Sequence, residues 1–304
     1  MNTRWILAVA CLALAVPAAR AQPLAPDGTL AKIKERGEIV LGVRDASIPF
    51  SFLDDRQEAV GYSVDLCMRV VEAVKQRIGA PALQVKKQVV TSATRIPLIA
   101  NGTIDLECGS TVNNLERQKL VAFSTTTFLV NTKFIARKPS NVRTVADLKG
   151  KTVIVTAGTN TAEKVNDLDK RLKLELTVLR GADHAQSFTS VETGRAAAFA
   201  EDDILLAGLA ANSKAPGDYN LVAIEGMDAD PYALMFRRGD PEFRDVVDGA
   251  IAQAFRSGEI EKLYDKWFMK PIPPRGIVLN FPPSEQWKKI VAHPTDSGDP
   301  KDYR

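Results

Sequence analysis

This 304-residue chain predicts an α/β fold whose sheets are mainly parallel, and three observations point there. Strand-like and helix-like segments alternate almost throughout, the pattern left by parallel strands joined through crossover helices. About 280 residues remain once an N-terminal leader is set aside, which suits two domains of ordinary size. No internal repeat or low-complexity tract interrupts the alternation.

The first unit opens with a strand at 38–44 (EIVLGVR). Ser63 is placed to cap a helix in which Val64, Cys67, Val71, Val74 and Ile78 recur at helical spacing, and Gly79 ends it. A strand at 83–90, a short helix at 95–101 closed by Gly102, and a strand at 104–108 follow. Asn101-Gly102-Thr103 matches a glycosylation sequon, but the helix-ending role of Gly102 already accounts for it. A second unit starts after Phe128, with strands at 152–157, 174–180 and 196–200 alternating with helices at 161–172, 185–193 and 204–211. One more strand at 232–237 precedes helices at 241–256 and 260–268, and the prolines of 271–274 are expected to stop regular structure.

Residues 1–21 read as a secretory signal peptide: Arg4, an apolar stretch from Trp5 to Val16, then an Ala19-Arg20-Ala21 cleavage pattern. That stretch falls short of the ~20 residues that span a bilayer, so a cleaved leader is favoured over a retained anchor. Its removal leaves Cys67 and Cys108, which lack metal-ligand spacing and read as buried thiols, with a single disulfide as the alternative. The full chain has 40 basic and 37 acidic residues; without Arg4 and Arg20 the balance is 38 − 37 = +1. Proteins that read phosphate backbones concentrate basic charge far more strongly, so no nucleic-acid partner is expected. The chain has no HExxH, GxSxG, P-loop or glycine-rich dinucleotide turn. With only His184 and His293, a histidine-rich metal site is not expected either, and His293 in a polar, proline-containing tail reads as solvated. No cofactor is expected.

The most informative stretch is ECGSTVNNLERQ at 107–118. Ser110 and Thr111 offer hydroxyls, Gly109 allows close approach to the backbone, and Arg117 can grip a carboxylate with a planar fork. These are the parts of a carboxylate clamp, although a capped helix terminus explains the run equally well when it is taken alone.

Four stretches closely resemble periplasmic glutamate/aspartate-binding proteins, the soluble receptors of polar amino-acid ABC importers. They are GVRDASIPFSF at 42–52, TSATRIPLIANGT at 91–103, the run at 107–118 and GRAAAFAEDD at 194–203, and WFMKPIPP at 267–274 fits as well. The resemblance implies a type II periplasmic binding-protein fold: two lobes, each a mainly parallel sheet flanked by helices, joined by two hinge strands. Lobe 1 would comprise 27–128 plus 231–285 and lobe 2 would comprise 129–230, with a C-terminal tail at 286–304. The hinge crossings would lie near 127–131 and 227–231. Ligand would sit between the lobes, where strand C-terminal ends and helix N-termini converge.

Carried over by position, the resemblance implies that Arg117 pairs with a ligand α-carboxylate, helped by Ser110 and nearby backbone N–H groups. Asp202 would accept the α-ammonium, with a helix N-cap beside Asp203 as the alternative. Arg44, Ser92, Arg95 and His184 resemble the set around a distal carboxylate, and two arginines beyond the clamp are more positive charge than a neutral amino acid could match. For His184, capping of the helix at 185–193 is the alternative. If a charged His184 meets the distal carboxylate, glutamate affinity weakens between about pH 6 and 8 as that charge is lost, whereas a histidine neutral throughout leaves the profile flat. Two departures stand out. Val112, which can offer only its backbone, replaces a threonine common in the family, and Asn160 replaces a second threonine after Thr159. The implied protein is a monomeric periplasmic receptor for an acidic amino acid, delivering to an ABC permease in the inner membrane and catalysing nothing. The rival readings are a dehydratase-like enzyme of the same fold and a sensory co-receptor.

Overall fold

The computed structural model describes residues 23–273 and 275–304, so the signal peptide expected at 1–21 lies outside the described residues. Two five-stranded sheets share one plan. In the first, Glu38–Val43 lies between Gln84–Val89 and Leu106–Glu107, all three parallel, and Met235–Phe236 and Ala122–Phe123 extend the sheet by antiparallel pairing. In the second, Thr152–Thr156 lies between Thr177–Gly181 and Ala198–Asp202, again parallel, and Thr132–Arg137 and Tyr219–Ala223 add on antiparallel. Both sheets are therefore mixed, with a parallel heart. Ile39, Leu41 and Val43 are buried, and so are Val153, Ile154 and Val155, because helices cover both faces of each sheet.

The helix Tyr62–Ile78 turns the expected face inward, burying Val64, Cys67, Val71, Val74 and Ile78, and Gly79 closes it in the left-handed conformation. Its start differs from the expectation. Gly61 is the N-cap residue, and Ser63 lies inside the first turn. The reason is steric: Gly61 has φ +140°, and a Cβ there would come within 2.2 Å of Phe50 O, so only glycine lets the helix begin against that backbone.

The expected strand at 232–237 is two strands. Asp230–Tyr232 pairs antiparallel with Phe128–Val130, and Met235–Phe236 joins the first sheet. The 128–130/230–232 pair is where the chain passes between the sheets. It is rooted in an aromatic cluster: Phe128 stacks on Phe268 at 4.5 Å between centroids, Phe50 packs edge-on to both, and Tyr62 donates a 2.8 Å hydrogen bond to Thr127 O. The strands Thr132–Arg137 and Tyr219–Ala223 were not expected. In the first, a buried Phe134-Ile135-Ala136 core is flanked by Lys133 and Arg137, too short an apolar run to announce a strand.

Regular structure does not stop at the prolines of 271–274. Ser284 caps a helix Glu285–Ala292, its Oγ accepting from Trp287 N at 3.1 Å, and Trp287 and Ile290 are buried against the first sheet's core. The segment beyond it is docked. Thr126 N donates to Thr295 O at 2.8 Å, Tyr303 OH meets Thr126 Oγ1 at 2.7 Å, and Asn113 Nδ2 donates to Asp296 O at 2.9 Å. His293 is exposed, as expected.

Cys67 and Cys108 form a disulfide, the alternative to the thiol reading, and it ties the helix Tyr62–Ile78 to the end of the strand Leu106–Glu107 across a separation of 41 residues. Reduction, or replacement of both cysteines by serine, is expected to lower unfolding free energy by about 2–4 kcal/mol. Urea denaturation with and without reductant measures this, and equal midpoints would show that the bond contributes nothing.

Candidate functional site

The C-terminal ends of the parallel strands face each other across the junction of the two sheets. From the first sheet, Val43 leads into Arg44 and Glu107 leads into the run 108–112; from the second, Thr156 leads into 157–160, and Asp202 ends its own strand. The halves touch here. Gly158 (φ +81°) lies so near the other half that a Cβ would stand 2.5 Å from Ala93 N, and Arg117 Nη2 donates to Gly158 O at 3.3 Å.

Arg44, Ser92, Arg95, Ser110, Thr111, Val112, Arg117, His184 and Asp202 are all buried at this junction, and Thr159 and Asn160 are half-buried at its edge. Nine buried side-chain polar atoms lack a hydrogen-bond partner among the described residues, and eight belong to Arg44, Ser92, Arg95, Glu107, Ser110 and Glu201. They include all three guanidinium nitrogens of Arg44. Burial, and then the nearby charge of Arg95, push the Arg44 pKa down to about 10, so it stays charged at neutral pH. Hollows elsewhere on the surface, such as the one lined by Arg143, Val145, Leu168 and Ile224, contain none of these atoms.

Arg95 is held from behind. Its Nη1 donates to Ser110 O at 3.0 Å and to Thr111 Oγ1 at 2.5 Å, and Thr111 in turn donates to Glu107 Oε2 at 2.7 Å. The Thr111 hydroxyl is therefore committed to supporting Arg95 rather than free for a ligand. Arg117 belongs to the short helix Leu115–Gln118, where Asn114 Oδ1 accepts from Arg117 N at 2.8 Å, so the run at 107–118 does contain a capped helix terminus. The cap also serves the guanidinium, which donates from Nη1 to Val112 O at 2.8 Å. Val112 contributes its backbone here, as its side chain requires.

In the second half, Asp202 occupies the N-cap position of the helix Asp203–Ala211, yet its side chain makes no cap hydrogen bond. Its Oδ2 instead accepts from Tyr232 OH at 2.5 Å, and its Oδ1 accepts from Thr132 Oγ1 at 3.4 Å. Burial, and then repulsion from Asp230, push its pKa up to about 6. Thr159 donates to Thr156 O at 2.8 Å, and Asn160 Nδ2 donates to Asp230 Oδ2 at 3.3 Å, so both are occupied within their own half.

His184 is the first residue of the helix His184–Glu192, and the cap is Asp183, whose Oδ1 accepts from Gln186 N at 2.7 Å. The imidazole is buried, with Nδ1 3.0 Å from Thr156 Oγ1 and 3.3 Å from Glu201 Oε2. Burial, followed by the charges of Arg44 and Arg95, hold its pKa well below the usual value, so the ring is neutral. Glu107, Glu201 and Tyr232 were not foreseen as site residues. The two acids lie inside the sequence runs already singled out, but only the fold shows that they stand behind Arg95 and His184.

The arrangement suits a small dipolar molecule: guanidinium groups in two places for anions, and Asp202 with Tyr232 for a cation. Neither Ser92 nor Ser110 has a base bonded to its hydroxyl, and no cluster of His, Cys, Asp or Glu among the described residues could hold a metal ion.

Known proteins resemble this chain along most of its length. The L-glutamate/L-aspartate-binding protein of Pseudomonas aeruginosa is 49% identical over 270 residues, covering 88% of this chain and 89% of that protein. The glutamate/aspartate import solute-binding protein of Escherichia coli is 44% identical over 291 residues, covering 95% and 96%. Among solved structures, the solute receptor for L-cysteine of Neisseria gonorrhoeae matches with a TM-score of 0.66 at 25% identity, covering 78% of this chain and 92% of that one. The family model for bacterial extracellular solute-binding proteins, family 3, matches residues 39–270, and the chain belongs to that family of binding proteins.

Proposed function

We propose that this protein captures L-glutamate or L-aspartate in the periplasm by closing its two lobes, 27–128 with 231–285 and 129–230, and delivers it as a monomer to an ABC importer in the inner membrane. One observation carries the acidic ligand: Arg44 is fully buried with three unbonded nitrogens, beside Arg95 and separate in role from Arg117. An unpaired buried charge costs several kcal/mol, so a cleft with guanidinium groups beyond an α-carboxylate clamp favours a ligand with a second carboxylate.

In this reading Arg117 and Ser110 take the α-carboxylate, Asp202 takes the α-ammonium, and Arg44, Arg95 and Ser92 take the distal carboxylate beside neutral His184. Val112, Thr159 and Asn160 line the ligand through their backbone groups, and Thr111 acts through Arg95. Binding residues come from both lobes, so the ligand favours the closed form by its differential affinity for it. The high identity to two glutamate/aspartate-binding proteins along most of the chain supports the same ligand class.

A thermal-shift screen of the twenty amino acids tests the ligand class, because a ligand that binds the folded form raises stability by RT ln(1 + [L]/Kd). Glutamate or aspartate should give the largest shift, and no shift with either would overturn the reading. Arg117→Ala should cost ~3–5 kcal/mol of binding, roughly 100-fold or more in Kd by calorimetry, whereas near-normal affinity would remove Arg117 from the clamp. The pH dependence follows from Asp202. Only its carboxylate can accept the ammonium, so affinity should be full above its pKa of about 6 and fall as pH drops below it, by up to about tenfold per unit. Neutral His184 adds no step between about pH 6 and 8. Titrations from pH 7.5 down to 5, at steps of about half a unit, check the Asp202 role, and an unchanged Kd throughout would refute it.

A further inference from the structure

We propose that Glu201, held as a neutral carboxyl behind His184, sets the net charge the cleft accepts, so that a proton on this residue is a condition for tight binding of an acidic amino acid. The inference rests on the reading of the cleft as an acidic amino-acid site and names a residue that would tune its selectivity.

Glu201 is buried at the end of the strand Ala198–Asp202. Its Oε1 accepts from Thr161 Oγ1 at 3.3 Å and from Asp202 N at 3.2 Å. Its Oε2 has no hydrogen-bond partner and faces His184 Nδ1 at 3.3 Å. A carboxylate there would bury a full charge with only a neutral imidazole facing its Oε2, while a neutral acid has a proton to direct at Nδ1 of that ring. The titratable and charged groups around it are Asp202 on its own strand, Lys133 opposite it in register on the strand Thr132–Arg137 and paired with Asp203, His184 from the helix His184–Glu192, Tyr232 from the hinge pair, and Arg44 and Arg95 across the cleft.

Charge matching gives this proton its consequence. Three guanidinium groups, Arg44, Arg95 and Arg117, meet two buried acids, Glu107 and Asp202, while Lys164 pairs with Asp230, Lys133 pairs with Asp203, and Asp45 is exposed to water. With Glu201 neutral, one positive charge is uncompensated, and an amino acid of net charge −1 cancels it. With Glu201 ionised the cleft is already neutral, and an acidic ligand brings an excess negative charge into a buried site. Burial, and then repulsion from Asp202, push the Glu201 pKa up to about 8, and an anionic ligand nearby raises it further. The sign follows: the contribution of Glu201 is full below about pH 7, with the Asp202 loss setting in only below about 6, and it falls as pH rises through 8, because the bound form holds the proton more tightly than the free form.

Calorimetric titration of glutamate into the wild-type protein and Glu201→Gln at pH 7 and 9 tests this. The wild type should lose roughly five-fold more affinity than the variant, in which no charge can form, taking about one unit of pKa rise on binding. The ligand's own ammonium titrates equally for both proteins and cancels in the comparison. At pH 8.5 the wild type should also take up protons on binding, read from the dependence of the heat on the buffer's ionisation enthalpy; this readout decides the matter if the variant does not fold. Equal pH dependence in the two proteins, or no proton uptake by the wild type, overturns the role of Glu201 while leaving the ligand assignment standing. Failure of the wild type to bind any acidic amino acid at either pH removes the ligand assignment, and this inference with it.

Discussion

Three guanidinium groups held out of water in one cleft are the constraint on which the rest of this structure turns. Arg44, Arg95 and Arg117 are all buried, and burial lowers the pKa of Arg44 and Arg117 to about 10, the signature of charge kept where it is poorly solvated. Such groups persist only where a rigid surround fixes them. Arg95 is braced by Thr111 and Glu107, and Arg117 by Asn114 and the carbonyls of Val112 and Gly158, while Arg44 makes no hydrogen bond through its guanidinium among the described residues. The gradation from braced to unbraced separates scaffolding from recognition among residues of one type.

The architecture supplies that surround with two copies of one plan. Each sheet delivers side chains from the C-terminal ends of parallel strands, so facing the sheets across a narrow hinge brings polar strand ends together in one cleft. The hinge pair is anchored on one side by the Phe50, Tyr62, Phe128 and Phe268 cluster, and the disulfide fixes the strand that leads into Gly109 and Ser110. The docked segment after Ala292 adds a further tether, since Asn113, next to the helix that carries Arg117, donates to Asp296 O. Positioning of the clamp therefore depends on residues more than 180 positions away in the chain.

Much of the fold was legible in the sequence because helical periodicity is a local signal. The helices Thr161–Leu172 and Pro241–Arg256 lie where the pattern places them. The strands Thr132–Arg137 and Tyr219–Ala223 were not legible, because their apolar cores are short and their pairing is set by distant partners. The helix Glu285–Ala292 was hidden by the prolines before it, which end one element without forbidding the next. In the cleft, the sequence pointed to residues that carry charge or hydroxyls in recognisable runs. It did not show that Thr111 is committed to Arg95 or that Tyr232 reaches Asp202, since these pairings depend on three-dimensional proximity alone. The pKa of His184 was equally hidden: burial and two neighbouring arginines keep its ring neutral.

Gly158 carries a consequence of its own. Because backbone meets backbone where it faces Ala93, the closest approach of the two halves is set by atoms that have no rotamers to adjust. Side-chain size at this one position becomes a spacer of graded thickness, holding the halves further apart at the cost of a strained left-handed backbone and of the bond from Arg117 to Gly158 O. That makes it a natural handle for engineering receptors with a fixed gape, whether to weaken a sensor built on this scaffold into a useful concentration range or to hold an open form for study of its encounter with a membrane partner.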